Sequence, residues 1–186
     1  MTRENSICFK KLTLIALALV GLVAVGVRLA RADKRDPKAG PPAEATRLWN
    51  SMVGTWSAKD LSVQMGPQKA KASGKVSCEK AVGGWALRCR GHFQVGAMAI
   101  EEEEIFGWDG DAGQFHMYSA NSMGDVHDHK GNLEGDTLNL EYTSTKDGKP
   151  YIEKLSFTAD GKGVVWKNSC MLAGQTIFAG EGLFHK

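Results

Sequence analysis

The stretch from Trp85 to Val95 constrains the fold more than any other, because its side chains alternate between apolar and polar. A period of two with one apolar side is typical of a β-strand that has one buried face and one solvated face. The chain is therefore predicted to form a β-sheet over a core. The apolar face holds Trp85, Leu87, Cys89, Gly91, Phe93 and Val95, and the other face holds Ala86, Arg88, Arg90, His92 and Gln94.

Strand patterns of this kind recur about ten times between residues 54 and 185, separated by turn sequences such as Asp147-Gly148 and Ala173-Gly174. Closely spaced turns and strands indicate an antiparallel sandwich or barrel. Many of the strands are long for a sandwich, and closure would remove the exposed sheet edges. We therefore predict an all-β fold, an antiparallel up-and-down β-barrel of about ten strands. The segment Pro42 to Val53 is predicted to form a short helix that plugs or flanks the sheet.

The N-terminal third of the chain reads as a targeting segment. Lys10 and Lys11 precede an uncharged apolar run, 12–27, which ends before Ala30-Arg31-Ala32. This is the pattern of a secretory signal peptide over residues 1–32. An uncleaved membrane anchor is the alternative, although the run is shorter than the ~20 residues of a spanning helix. A proline-rich linker, 33–42, would then lead to a barrel domain at 43–186, located in the periplasm or secreted.

The net charge of the predicted mature chain argues against nucleic acids as partners. The predicted signal peptide contains five of the 23 basic residues and one of the 21 acidic residues, so the mature chain would have a net charge of −2. The basicity of the whole chain is therefore a targeting feature, and the domain offers no basic excess for nucleic-acid binding. Contact with a membrane is expected only through the N-terminal segment, if that segment is retained. The sequence does not indicate the oligomeric state.

Several short motifs resemble known barrel families. Gly54-Thr55-Trp56, at the start of the first strand, resembles the G-x-W motif of lipocalins and other calycins, in which the tryptophan closes one barrel end. Gly83-Gly84-Trp85, Ile105 to Asp109, Met117-Tyr118-Ser119 and Asn121 to Gly124 resemble the bacterial lipocalin-like family catalogued as domain of unknown function 1579 (DUF1579). The resemblance covers most of residues 48–186. It implies a secreted or periplasmic barrel without an established activity, and it assigns no catalytic residue.

Three cysteines follow the predicted signal peptide. If Gly83-Gly84 forms a two-residue turn, Cys78 lies opposite Cys89, and the two sulfurs share one face. In an oxidising compartment such a pair is predicted to form a disulfide. Two buried thiols are the alternative. Cys170 would remain as a buried, inert thiol.

The inward faces of the strands give the candidates for a cavity wall, because the wall of a barrel is also its core. Within 98–108, Glu102 and Glu104 share a face with apolar residues, so two carboxylates would enter the barrel. A turn around Gly96-Ala97 would place Glu104 opposite Cys89 and Glu102 opposite Gly91. A bulge that turns this acidic run toward solvent is the alternative, because unpaired buried carboxylates are costly. The candidate ligand-binding residues are Trp85, Leu87, Phe93, Glu102, Glu104, Phe106, Trp108, Trp166 and Phe178.

Three histidines are candidate metal ligands. His127 and His129 share a strand face, and a turn at Met123-Gly124 would place Tyr118 opposite His129 and bring His116 to the neighbouring strand. Two histidines on one strand with a third beside them can bind zinc or iron. The alternative is a polar outer face, with Val126 pointing inward.

These observations leave three functions open. The first is binding of a small hydrophobic or amphipathic ligand inside the barrel, for which the sequence indicates no cofactor and no enzymatic activity. The second is a haem- or metal-binding barrel that resembles nitrobindins, with a histidine on the metal. The third is a structural or interaction role, with side chains filling the barrel.

Overall fold

A computed structural model describes residues 40–159 and 162–186. The predicted signal peptide, linker residues 33–39 and the turn at 160–161 lie outside the described residues. A short helix precedes ten strands. The elements are α1 (Ala43–Met52), β1 (Gly54–Met65), β2 (Gln68–Ala81), β3 (Ala86–Val95), β4 (Met98–Asp109), β5 (Gln114–Asn121), β6 (Val126–Glu134), β7 (Thr137–Lys146), β8 (Lys149–Ala159), β9 (Val164–Leu172) and β10 (Gln175–Phe184).

The strands form a closed antiparallel barrel in which each strand pairs with its neighbours along the chain, and β1 pairs with β10. This arrangement confirms the predicted all-β up-and-down barrel with a short N-terminal helix. Two-residue turns connect several of the strands. Asp147-Gly148 and Ala173-Gly174 have positive φ at both positions, which is the backbone that tight hairpin turns require.

The helix fills one end of the barrel. Its Trp49 side chain is fully buried, with ring centroids 6.3 Å from Phe106 and 5.8 Å from Phe115. The guanidinium of Arg47 donates to Asp136 Oδ1 and to the Gly135 carbonyl, which holds the helix on the β6–β7 turn. Among the described residues no helix has the length and apolar composition that a membrane crossing requires.

The junction between the helix and β1 contains the residues predicted to be structural. Trp56 is buried, and its indole N–H donates to the carbonyl of Met52 at 2.7 Å, where the helix ends. The ammonium of Lys186 lies 4.7 Å from the centre of the Trp56 ring. Gly54 has φ 127°, a conformation that glycine adopts more easily than other residues. The tryptophan therefore closes the barrel end that the helix covers.

The β2–β3 hairpin has the predicted register. Ala81 pairs with Ala86 and Cys78 with Cys89, around a short 3₁₀ turn (Val82–Gly84) that contains both Gly83 and Gly84. Cys78 and Cys89 form a disulfide, with their Cα atoms 4.1 Å apart. Cys170 is a free, buried thiol. The bond joins two adjacent strands on the inner face of the barrel.

Candidate functional site

A cavity of about 380 Å³ occupies the part of the barrel that the helix does not fill. It extends from Met52, the last residue of the helix, and Trp56 to Met123 in the β5–β6 turn and Lys146, the last residue of β7. An ion pair between Lys146 and Asp125, 3.6 Å apart, lies at that end. The barrel is therefore packed at one end and hollow at the other.

The cavity has an apolar wall and a polar wall. Apolar side chains come mainly from β1, β2, β3, β9 and β10, among them Leu61, Val63, Ala72, Val76, Phe93, Val95, Trp166, Phe178 and Phe184. Polar side chains come mainly from β4, β5, β6, β8 and β9: Glu102, Glu104, Ser119, His127, His129, Tyr151, Glu153 and Asn168. A molecule inside the barrel would therefore meet hydrocarbon on one side and titratable groups on the other.

Five of the nine predicted cavity residues line this space: Phe93, Glu102, Glu104, Trp166 and Phe178. The other four, Trp85, Leu87, Phe106 and Trp108, do not. Leu87 and Phe106 are fully buried in the packed core. The ring of Trp108 lies 4.9 Å from Phe115, which in turn contacts Trp49, and Trp85 lies in the turn before β3. The alternation of β3 and β4 identified inward side chains correctly for the core positions, but Trp49 of the helix occupies the space that Phe106 faces.

Glu102 and Glu104 face the cavity, because β4 pairs with β3 without a bulge. Glu104 lies opposite Cys89 and Glu102 opposite Gly91, as the predicted register requires. Burial, together with the charge of Glu153, raises the pKa of Glu102 to about 7, and the electrostatic effect of the neighbouring His129 acts in the opposite direction. Burial, followed by the charges of Glu102 and Glu153, raises the pKa of Glu104 well above its usual range. The outward alternative for the acidic run is wrong.

The histidines occupy both faces of the sheet. His127 and His129 point into the cavity, and the exposed side chain of Val126, which precedes His127, points to solvent. His116 alternates with the inward-facing Phe115 and Met117. Its Nδ1 lies 2.9 Å from Asp128 Oδ1 on the outer surface. His116 is therefore not part of a site with the other two histidines, and the alternative that placed all of these side chains on the outer face is also wrong.

The predicted pairing of β5 with β6 was wrong by one residue, and this shift explains why His116 was expected beside His127 and His129. The chain between β5 and β6 forms a longer turn, in which the side-chain oxygen of Asn121 accepts hydrogen bonds from the backbone N–H groups of Met123 and Asp125. His129 consequently lies opposite Met117, not Tyr118. Since side chains alternate along a strand, a shift of one residue moves a whole set of side chains to the other face.

Glu153 is the centre of the polar wall, and it was not among the predicted site residues. Its Oε2 lies 2.8 Å from His127 Nδ1 and 3.3 Å from His129 Nε2. Its Oε1 accepts a hydrogen bond of 2.9 Å from the side-chain amide of Asn168, and the hydroxyl of Tyr151 donates to Oε2 at 3.4 Å. The sequence held a signal for this residue, because Glu153 is the one carboxylate on the strand face that contains Tyr151, Leu155 and Phe157.

The surroundings of Glu153 keep it ionised. Burial alone would raise its pKa, but the contacts from His129 and Asn168 and the charges of His129 and His127 outweigh burial and lower the pKa to about 2. Burial, a hydrogen bond with Cys170 and the charge of Glu153 raise the pKa of Tyr151. Burial and the charge of Glu153 also raise the pKa of Cys170, to about 12. Cys170 is therefore a thiol at neutral pH and not an activated nucleophile.

Comparison with known proteins supports the fold. The crystal structure of Rv2717c from M. tuberculosis superimposes with a TM-score of 0.56 at 16% sequence identity, over 77% of this chain and 98% of that chain. At this identity the likeness shows the barrel fold alone. The barrel fits a lipocalin-like fold. No family model matches the chain, so the resemblance to DUF1579 has no such support, and no curated protein matches it either.

Proposed function

We propose that the barrel binds a small amphipathic molecule, with the apolar part of the molecule against the wall formed by β1, β2, β3 and β10. The observation that carries this proposal is the cavity of about 380 Å³. Ligand sites in proteins commonly span about 300–1,000 Å³ and combine apolar walls with a few polar groups. The cavity has this size and this division of its walls.

The polar wall favours a particular kind of head group. Glu153 is ionised, so its oxygens accept hydrogen bonds, and its lone pairs are partly used by Asn168 and His127. Glu102 and Glu104 retain protons at a pH where exposed carboxyl groups have lost them. Carboxyl groups of both kinds match a ligand whose polar end carries O–H or N–H groups, such as an alcohol, an amide or an amine.

The cavity argues against a barrel that serves only as a filled scaffold. In a filled barrel the inward side chains would meet across the whole interior, as Trp49, Phe106 and Phe115 do at the helix end. At the other end, side chains from opposite walls leave the space open. An apolar surface inside such a space is stabilised when a ligand replaces water there.

Native mass spectrometry of the exported protein tests for a retained molecule, and 1-N-phenylnaphthylamine serves as a neutral fluorescent probe. We expect the probe to bind to the wild type and its binding to be lost in Ala72→Trp, because the indole would occupy the cavity. Lys71→Trp is the control, since Lys71 is the exposed neighbour of Ala72 on the same strand. Equal probe binding by both variants would place the bound probe outside the barrel and contradict the proposal.

A haem-binding barrel is the second candidate, because His127 and His129 both point into the cavity and could provide an axial ligand. The two candidates differ in colour. Purified protein with a Soret band would support haem, whereas colourless protein that retains an organic molecule would support the amphipathic ligand.

A further inference from the structure

We propose that His127, His129 and Glu153 form a binding site for one divalent transition-metal ion in the polar wall of the cavity. Their ligand atoms all lie within 4.8 Å of one another. The proposal does not depend on an organic ligand, since the three side chains belong to the wall of the barrel itself.

The donor set selects the class of metal. Two imidazole nitrogens and one carboxylate oxygen suit zinc and the neighbouring transition metals, and the same combination is used in catalytic zinc sites and in non-haem iron sites. Calcium and magnesium prefer oxygen ligands alone. The fourth position of a tetrahedral ion would face the cavity, where water or the polar end of a ligand could complete the coordination.

His129 gives a second, independent reason to place an ion here. Its side chain is 2% exposed, and neither ring nitrogen has a hydrogen-bond partner. Its Nε2 lies 3.3 Å from Glu153 Oε2, but the geometry does not form a hydrogen bond. A buried polar nitrogen without a hydrogen-bond partner is destabilising, so it requires an explanation. A metal ion bound to Nε2 would use one of the two unpartnered nitrogens.

The ligands are supported from outside the site. Asn168 donates to the second oxygen of Glu153 at 2.9 Å, which orients the carboxylate toward the histidines. The ring of Tyr142 stacks on His127 with a centroid distance of 4.2 Å and an interplanar angle of 16°. Groups that orient metal ligands in this way commonly determine affinity.

The local backbone allows the small contraction that an ion would require. Ligand atoms around a tetrahedral zinc ion lie about 3.4 Å apart, given metal–ligand distances near 2.1 Å. The β6–β7 ladder pairs Lys130–Glu134 with Thr137–Glu141, so the part of β6 that carries both histidines is outside this ladder. Two side-chain contacts join the two strands there. They are the stacking of Tyr142 on His127 and the ion pair between Lys146 and Asp125. Such a segment can shift more easily than a fully paired strand.

The test is calorimetric titration of Zn²⁺ into full-length protein that carries no polyhistidine tag and has been stripped with a chelator. We expect one equivalent to bind to the wild type, and we expect binding to weaken by at least about 100-fold in His129→Asn and in Glu153→Gln. His116→Gln is the matched control, because this histidine lies on the outer face beside Asp128 and should leave binding unchanged. Circular dichroism confirms that each variant is folded.

Co²⁺ in place of Zn²⁺ gives a readout that requires no variant, because its visible absorption reports tetrahedral coordination by nitrogen and oxygen. No uptake of either metal by the wild type would overturn the proposal. Uptake that survives in His129→Asn and Glu153→Gln, or that is lost in His116→Gln, would place the metal on the outer surface and would overturn it as well. A fluorescent probe could still bind in each of these cases, so the proposal of an organic ligand would stand or fall separately.

Discussion

At the scale of single residues, Gly131 on β6 shows how closely two strands can approach. A Cβ atom at this position would lie 1.8 Å from the backbone carbonyl oxygen of Asn139, a distance that no rotamer change relieves. Gly131 pairs with Leu140 on one side and with Phe115 on the other, three residues before β6 ends. Glycine is required here for space, and not for an unusual φ angle.

We expect Gly131→Ala to lower the free energy of unfolding by about 2–3 kcal/mol, because the added methyl group must displace a strand of the barrel. Gly107→Ala on β4 is the control, since a Cβ there meets no atom within 4 Å and the backbone φ is ordinary. Urea denaturation measures both variants. Equal midpoints for the two variants would mean that the barrel accommodates a side chain at Gly131.

Glu102 gives the protein a predictable dependence on pH. Its pKa rises from 4.5 to about 7 in the folded protein, so between these values the folded state retains a proton that the unfolded chain has released. Stability from this group is complete below pH 4.5 and is lost as the pH rises toward 7, by up to about 3 kcal/mol. We expect Glu102→Gln to reduce this loss, measured by urea denaturation at both ends of the window. Glu101→Gln, on the exposed outer face of β4, should retain the wild-type slope.

At the scale of elements, the helix α1 determines which end of the barrel is filled by packed side chains. Trp49 fills the space between Phe106 and Phe115, and Met52 lies beside the cavity. We expect Trp49→Ala to lower the free energy of unfolding by about 3–5 kcal/mol, because it empties a large volume from the core. Asn50→Ala on the exposed side of the same helix should change it by less than about 0.5 kcal/mol. Thermal melting followed by circular dichroism compares the two, and similar losses would show that the helix does not depend on this contact.

The β2–β3 hairpin contributes a covalent link. The Cys78–Cys89 disulfide closes a short loop, and an entropic gain of about 2–3 kcal/mol follows from the loop length. In exported protein that starts near Asp33, denatured without a reductant, we expect one free thiol, that of Cys170, and three after reduction. Three free thiols before reduction would show that the pair remains reduced in the cell.

At the scale of the whole molecule, the barrel is proposed to function outside the cytoplasm, on the pattern of residues 1–32. We expect export to remove this segment, so that the intact mass of the secreted or periplasmic protein corresponds to a chain beginning near Asp33. A mass that retains residues 12–27 would support the alternative of a membrane anchor. The barrel would then be held at the membrane by its N-terminal segment.

The class of fold followed from the sequence alone, because alternation and turn chemistry act locally. The β2–β3 and β3–β4 registers followed from turns at Gly83-Gly84 and Gly96-Ala97, and with them the positions of Cys78 opposite Cys89 and of Glu102 opposite Gly91. Each of these features depends on contacts between neighbouring strands. A period of two, together with a correctly placed turn, is sufficient to derive them.

Which inward residues face a cavity, and which groups meet across it, depended on contacts between elements that are distant in the sequence. Phe106 faces inward, as its strand pattern predicted, but a distant helix covers it with Trp49. His127 and His129 lie on the opposite face of the sheet from His116 because the side chain of Asn121 stabilises a longer turn than expected. Glu153 reaches them from β8, which lies beyond β7 in the sheet, so its proximity depends on how the sheet curves across three strands. The spacing of two residues placed His127 and His129 on one face, but no local pattern in the sequence could have added Glu153 to them.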